Sequence, residues 1–207
     1  MDDQCCTHQN SYDISTDWGV TGSDITHRFV VHYIYEFPFG RGRHFGAHAR
    51  KAVNWALGGW QFNGITTIQS STPLAITASN VAGIGNPTEY ANSNGQSPVL
   101  TGDVHDRLQK YFNTSVFSQP AAFTFGNVSP YVSDLRAPYQ NNHDWSLFKE
   151  FRPRENIRVQ FRAELFNAFN RVQFGSPNLS VTSSSSGVIS SQANAPRQTQ
   201  FGLKILF

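Results

Sequence analysis

The chain has 207 residues, of which 14% are charged and 14% aromatic, with 17 Phe, 7 Tyr, 4 Trp and a net charge of +2. An average soluble domain carries about 25% charged residues, so this composition favours strands with one apolar and one wet face over long helices. The small net charge, without a basic stripe interleaved with aromatics, argues against a nucleic-acid groove. No stretch approaches the roughly 18 consecutive apolar residues of a membrane helix, so only β-strands could carry this chain across a membrane.

The first 24 residues are acidic and polar, beginning MDDQCCTHQN, and read as a disordered or extracellular-loop N-terminus. They contain no charged-then-apolar signal segment. The chain is therefore expected to be either cytosolic or the C-terminal piece of something longer. Cys5 and Cys6 are adjacent. Neighbouring cysteines bridge only with strained geometry, and no spaced metal partners lie nearby, so both are read as incidental.

From residue 25 onward, five segments alternate with a period of two. Ile25 to Phe37 sets Phe29, Val31, Tyr33, Tyr35 and Phe37 against Arg28, His32 and Glu36. A medium connection with Pro38 and several glycines follows. Trp60 to Ser70 sets Trp60, Phe62, Thr66 and Ile68 against Gln61, Asn63, Thr67 and Gln69. Residues from about 71 to 142 form a long loop rich in Pro, Gly and Asn. Asp144 to Arg152 sets Trp145, Leu147 and Phe151 against Asp144, Ser146, Glu150 and Arg152, with Lys149 on the apolar side. The tight turn RPREN leads to Ile157–Leu165, where Ile157, Val159, Phe161, Ala163 and Leu165 oppose Arg158, Gln160, Arg162 and Glu164. A second long loop, about 167 to 196, contains the run Ser183 to Ser186. The last strand, Arg197 to Phe207, places Thr199, Phe201, Leu203, Ile205 and Phe207 on one face.

Most of these segments have the roughly 9–11 residues that a tilted strand needs to span a bilayer. Outer-membrane barrels join their strands by short periplasmic turns and long extracellular loops. With the C-terminus in the periplasm, both shorter connections here fall on the periplasmic side and both long ones outside. Residues 25–207 thus read as an all-β, antiparallel meander of about five long strands, an unclosed part of a transmembrane barrel. A soluble β-sandwich that binds carbohydrate or a protein partner also alternates, and patterning alone leaves that alternative open.

Chemistry-bearing motifs are sparse. His44 and His48 have i, i+4 spacing, but Gly46 and the flanking arginines disfavour the helix that a metal pair would need. GRGR (Gly40–Arg43) lacks the rest of a dinucleotide fingerprint, and there is no hydrolase elbow or P-loop. Asp144 and Glu164, with Arg158 and Arg162 nearby, read as a lumen ladder of cross-strand charge pairs rather than a paired-carboxylate catalyst. Tyr33, Tyr35, Trp55, Trp60 and Trp145 read as interfacial girdle residues, while Tyr90, Tyr111 and Tyr131 in the loops are possible ligand contacts. No enzyme activity, cofactor or metal is expected.

The terminal octet QFGLKILF fits the assembly signal of bacterial outer-membrane barrels, with Gln200, Gly202, Ile205 and Phe207 in its defining positions. Six pieces, in order and the last of them including this octet, resemble the C-terminal barrel region of TonB-dependent receptors of the Oar-like group, which carry a carboxypeptidase-regulatory-like domain. They are HRFVVHYIYEFPFGRGRHF, GGWQFNGITTIQSSTPLAI, YFNTSVFSQPAAFTFGNVSP, RAPYQNNHDWSLFKEF, QFRAELFNAFNRVQFGSPN and PRQTQFGLKILF.

This resemblance implies a receptor in which a plug fills a barrel of about 22 strands and an inner-membrane energy-coupling complex pulls on that plug. It implies as partners outer-membrane lipid, the barrel-assembly machinery, and the rest of the parent barrel and plug. Nucleic acid is not among them. Plug, signal peptide and coupling segment are not seen here, and about eight strands make the smallest membrane barrel. The chain is accordingly expected to be a C-terminal fragment that does not transport by itself.

Overall fold

The computed structural model describes residues 9–83, 89–154 and 156–207; Cys5 and Cys6 lie outside them. The chain divides into two compact units. One contains residues 27–69, 140–172 and 194–207. The other contains residues 1–26, 70–139 and 173–193.

The first unit is built on a five-stranded antiparallel sheet. In chain order its strands are β1 (Arg28–Glu36), β2 (Trp60–Gln69), β7 (Gln140–Arg154), β8 (Ile157–Phe166) and β9 (Gln198–Leu206), and they lie side by side in that order. All five strands expected from alternation form. β7 begins earlier than expected because Gln140 to His143 continue the ladder against Gln69 to Thr66, although their side chains are polar. A register shift between Phe151 and Arg154 bends the β7–β8 hairpin.

The register decides what each face carries. Tyr35 pairs with Phe62, Phe62 with Leu147, Leu147 with Ala163, and Ala163 with Phe201. One row nearer the short-turn end, Trp60, Lys149, Phe161 and Leu203 align. One row the other way are Tyr33, Gly64, Trp145, Leu165 and Thr199. Directly opposed residues share a face, so four independent pairings put the apolar set of every strand on the same side. A slip of one residue in any of them would have mixed the faces.

Gly64 occupies a position on the apolar face that no side chain could share. A Cβ there would lie 2.3 Å from the Tyr33 ring, and that ring is held by the hydrogen bond that Trp145 Nε1 donates to Tyr33 Oη at 2.8 Å. Gly64→Ala should therefore destabilise the sheet by about 1–3 kcal/mol, the usual cost of overpacking. In a Tyr33→Ala background the same change should cost almost nothing, and a double-mutant cycle by chemical denaturation reads the coupling. Equal costs in both backgrounds would refute the stacking.

The β1–β2 connection contains a short helix, α1 (Lys51–Leu57), which alternation gave no reason to expect. Its ends are fastened by close approaches. Asn54 Oδ1 accepts from the Arg41 backbone N–H at 2.6 Å, and Gly58 N–H donates to Asn54 O at 2.8 Å. Gly59, at φ +73°, lies so near Glu150 O that a Cβ would come within 2.2 Å.

The second unit is made from the segments read as long loops. Its strands are brief: β3 (Pro73–Leu74) pairs with β6 (Val132–Arg136), and β4 (Asn92–Ser93) with β5 (Phe117–Ser118). Even so, it has a core of Leu74, Ile76, Ala91, Tyr111, Phe112, Val116, Phe117, Val128, Leu135 and Ile189. The N-terminal segment is stitched into it: Gln9 is 1% exposed, and Asp24 pairs with Arg136 at 2.6 Å. Tyr90 and Tyr111 are not available as ligand contacts. Both are buried, their hydroxyls donating to Asp17 Oδ1 and to Arg136 O. Burial pushes the Tyr111 phenol above its ordinary pKa, opposed by the Arg107 guanidinium, which lies 5.2 Å from the ring centre. The Tyr131 ring packs over Gly22, where a Cβ would sit 2.4 Å from it.

Candidate functional site

The apolar face of the sheet is open. Phe29 is 59% exposed, Tyr35 54%, Phe201 69%, Leu203 66% and Ile205 54%. Among the described residues of the five strands, Val159 is the only buried hydrophobic side chain. A β-sandwich covers such a face with a second sheet, and a contiguous apolar surface of this extent needs a nonaqueous neighbour.

Aromatic side chains tile the open face at two levels. Toward the long-connection end, Trp145 lies edge-on to Phe62 at 5.8 Å and to Phe169 at 4.8 Å. His143 meets Phe169 at 4.9 Å and hydrogen-bonds Thr66 Oγ1 through Nδ1 at 2.9 Å. Toward the short-turn end, Trp55 approaches Phe151 at 6.1 Å, and Trp60 lies under the Lys149 ammonium at 4.7 Å.

Lys149 breaks the alternation, and the structure supplies the reason. Its Nζ donates to Gly58 O at 2.6 Å and to Ala56 O at 3.1 Å, so it caps carbonyls at the C-terminal end of α1 while its stem lies on apolar surface. Trp60 Nε1 donates to the same Ala56 O at 2.9 Å. Together these contacts lay α1 against the apolar side of the sheet.

The opposite face is polar and concave. It contains a cavity of about 430 Å³ lined by His32, Gln61, Asn63, Asp144, Ser146 and Glu164, with Ile34, Ile65, Phe148 and Phe166 among its apolar walls. Asp144 is held as a structural group: its two carboxylate oxygens accept from the Asn167 backbone N–H and from Asn142 Nδ2. The charged ladder forms with partners other than those expected. Arg158 pairs with Glu150 at 3.4 Å, while Arg162 donates twice to Gln160 Oε1 and lies over the Phe148 ring at 4.9 Å. Asn63 is nearly buried, and its Nδ2 has no partner among the described residues.

One face of fitted aromatics and aliphatics, and one where amides and charges surround a hollow with Val30, Ile34, Ile65 and Leu206 among them, is the sidedness of a barrel wall between lipid and lumen. The outer membrane beta barrel domain family matches residues 2–200. The chain belongs to this family. No curated protein and no solved structure matches it significantly. It is an outer-membrane β-barrel protein, its apolar face is the lipid side, and its polar face is the lumen side.

The four residues that the sequence pattern reads as an assembly signal divide between the faces. Gln200 pairs with Glu164 and Gly202 with Arg162 on the lumen side, whereas Ile205 pairs with Val159 on the lipid side. Phe207 follows the strand and is fully exposed. A Cβ at Gly202 would meet only Arg162 Cβ, at 3.9 Å, so packing within the five strands does not require glycine there. His44 and His48 are exposed and lie outside any helix. No group of three or more His, Cys, Asp or Glu side chains suited to a metal occurs among the described residues.

Proposed function

We propose that this chain supplies five wall strands of a TonB-dependent outer-membrane receptor of the Oar-like group, whose activity is energised uptake of a substrate across the outer membrane and which is not an enzyme. The observation that carries the reading is the open sheet. β1 and β9 are its edges, each with one side unpaired among the described residues, and lipid cannot satisfy a free strand edge. Further strands must complete the wall, as the parent barrel would. The six ordered segments of resemblance select the receptor class, and a lumen face lined by His32, Asp144 and Glu164 suits contact with a polar plug.

In this reading the barrel-assembly machinery engages β9 through Gln200, Gly202, Ile205 and Phe207, and the inner-membrane energy-coupling complex acts through the plug. The short connections, β1–β2 and β7–β8, face the periplasm together with the C-terminus, and the segments 70–139 and 167–197 lie outside the cell. Expressed as the full-length parent, the protein should fractionate with outer membranes and migrate faster on a gel when unheated than when boiled. In a Cys5→Ser/Cys6→Ser background, an impermeant maleimide added to intact cells should label Gln96→Cys but not His48→Cys. A parent found in the soluble fraction refutes the receptor, and the reverse labelling refutes its orientation.

A further inference from the structure

The two units differ sharply in charge. Residues 1–26, 70–139 and 173–193 carry three Lys and Arg against nine Asp and Glu, whereas the sheet unit carries thirteen against five. Within the sheet unit the cations gather at the short-turn end. Arg41, Arg43, Arg50 and Lys51 lie in the β1–β2 connection, and Arg152, Arg154 and Arg158 flank the β7–β8 turn.

The acidic groups at that end answer only some of them. Glu36 pairs with Arg43 at 2.7 Å, and Glu150 with Arg152 at 3.5 Å and Arg158 at 3.4 Å. Arg41, Arg50 and Lys51 are exposed and form no ion pair among the described residues.

The same connection exposes apolar side chains. Phe39 is 43% exposed, Phe45 52%, Trp55 45% and Leu57 57%, and the Phe39 and Phe45 rings lie 5.6 Å apart. The contacts from Lys149, Trp60 and Phe151 place α1 on the lipid side of the wall, where the strands end. A cationic segment with exposed aromatics, fastened to the sheet where the strands end, suits headgroups rather than acyl chains or water. Its uncompensated charge matches an anionic phosphodiester.

We infer that the β1–β2 connection, residues 37–59, is a docking surface for anionic phospholipid headgroups of the adjoining leaflet, with Arg41, Arg50 and Lys51 supplying the charge and Trp55 the interfacial anchor. Which leaflet this is rests on the orientation proposed above, in which the short connections reach the periplasmic, phospholipid side. The site itself does not depend on that orientation.

The test inserts the full-length parent, whose further strands complete the wall, from detergent into vesicles of phosphatidylcholine alone or mixed with phosphatidylglycerol. Partitioning should favour the phosphatidylglycerol vesicles, and added salt should erode the preference. The triple variant Arg41→Gln/Arg50→Gln/Lys51→Gln should lose the preference by about tenfold to a hundredfold. Arg28→Gln/Arg171→Gln/Arg197→Gln, an equal charge change at the opposite end, should alter it by less than about twofold. Arg41→Lys/Arg50→Lys keeps the charge and should keep the preference, which guards against a glutamine variant that misfolds. Brominated phosphatidylglycerol should quench tryptophan fluorescence more than brominated phosphatidylcholine, and Trp55→Phe should remove that excess. No preference in the unmodified chain, or equal loss in both triple variants, overturns the site. Labelling of His48→Cys from outside intact cells would instead overturn the orientation and leave the vesicle result standing.

Discussion

Leu147→Arg is expected to destabilise the membrane-inserted barrel by about 2–4 kcal/mol, whereas Ser146→Arg, one residue away, should change stability by no more than about 0.5 kcal/mol. The two positions differ only in face. Leu147 lies on the lipid side of the central strand, in the row that joins Tyr35, Phe62, Ala163 and Phe201. That row falls between the Trp145 level and the Lys149 level, so an arginine there has the longest reach to either interface. Ser146 faces the lumen opposite Glu164, and an arginine there gains a carboxylate neighbour in a wet cavity. The readout is the fraction of protein in the fast-migrating, unheated gel form, backed by denaturant unfolding in vesicles. Several kcal/mol should reduce that form to a small residue for Leu147→Arg and spare it for Ser146→Arg. Equal losses would mean that the apolar face does not meet lipid.

The sheet was legible in the sequence because its two environments differ so strongly. With lipid on one side and water on the other, a period of two survives in every strand, although Val30, Ile34, Ile65, Phe148, Phe166 and Leu206 stand on the polar face and Lys149 puts an ammonium on the apolar one. The Lys149 departure needed α1 to explain it, and α1 was hidden. Seven residues give barely two turns, too few for a helical period to show. What stabilises α1 is nonlocal: Arg41 to Asn54 across the connection, and Lys149 and Trp60 to Ala56.

The unit formed by the intervening segments was illegible for a related reason. Its strands β3, β4 and β5 have two residues each, so no alternation can develop. Its core residues sit singly among Pro, Gly, Ser and Asn. Phe112 is 1% exposed and Val116 2%, yet nothing in YFNTSVFSQP marks them as more buried than their neighbours. The tyrosines mislead in the same way: Tyr90 and Tyr111 resemble ligand contacts until their hydroxyl partners, Asp17 and Arg136, arrive from distant parts of the chain.

For the residues read as an assembly signal, the sequence pattern carries the spacing alone. It did not show that Gln200 and Gly202 pair across β8 with Glu164 and Arg162 on the lumen side.

That nonlocal construction makes Gln9→Ala the most damaging change expected outside the sheet. The Gln9 amide acts as a short piece of backbone between two others. Its Oε1 accepts from the Tyr90 N–H at 2.8 Å and the Gly126 N–H at 3.1 Å, and its Nε2 donates to Gly126 O at 2.9 Å. The two stretches of backbone are close, since a Cβ at Gly126 would lie 1.9 Å from Tyr90 O. Truncating Gln9 leaves two buried N–H groups and one carbonyl without partners, at about 1–3 kcal/mol each. A loss on the order of 3–5 kcal/mol follows, above the usual range for single substitutions. Gln9→Glu tests the donor separately, because it keeps an acceptor for both N–H groups and sets a carboxylate oxygen against Gly126 O. It should also destabilise, through lone-pair repulsion and a buried charge. Hydrogen exchange at the Tyr90 and Gly126 amides should accelerate in Gln9→Ala, and proteolysis should open residues 89–128 while the heat-modifiable form of the barrel persists. Unchanged protection at those two amides would show that the N-terminal segment is not a structural part of this unit. Collapse of the heat-modifiable form with it would show that the strands cannot hold their pairing without the segments that join them.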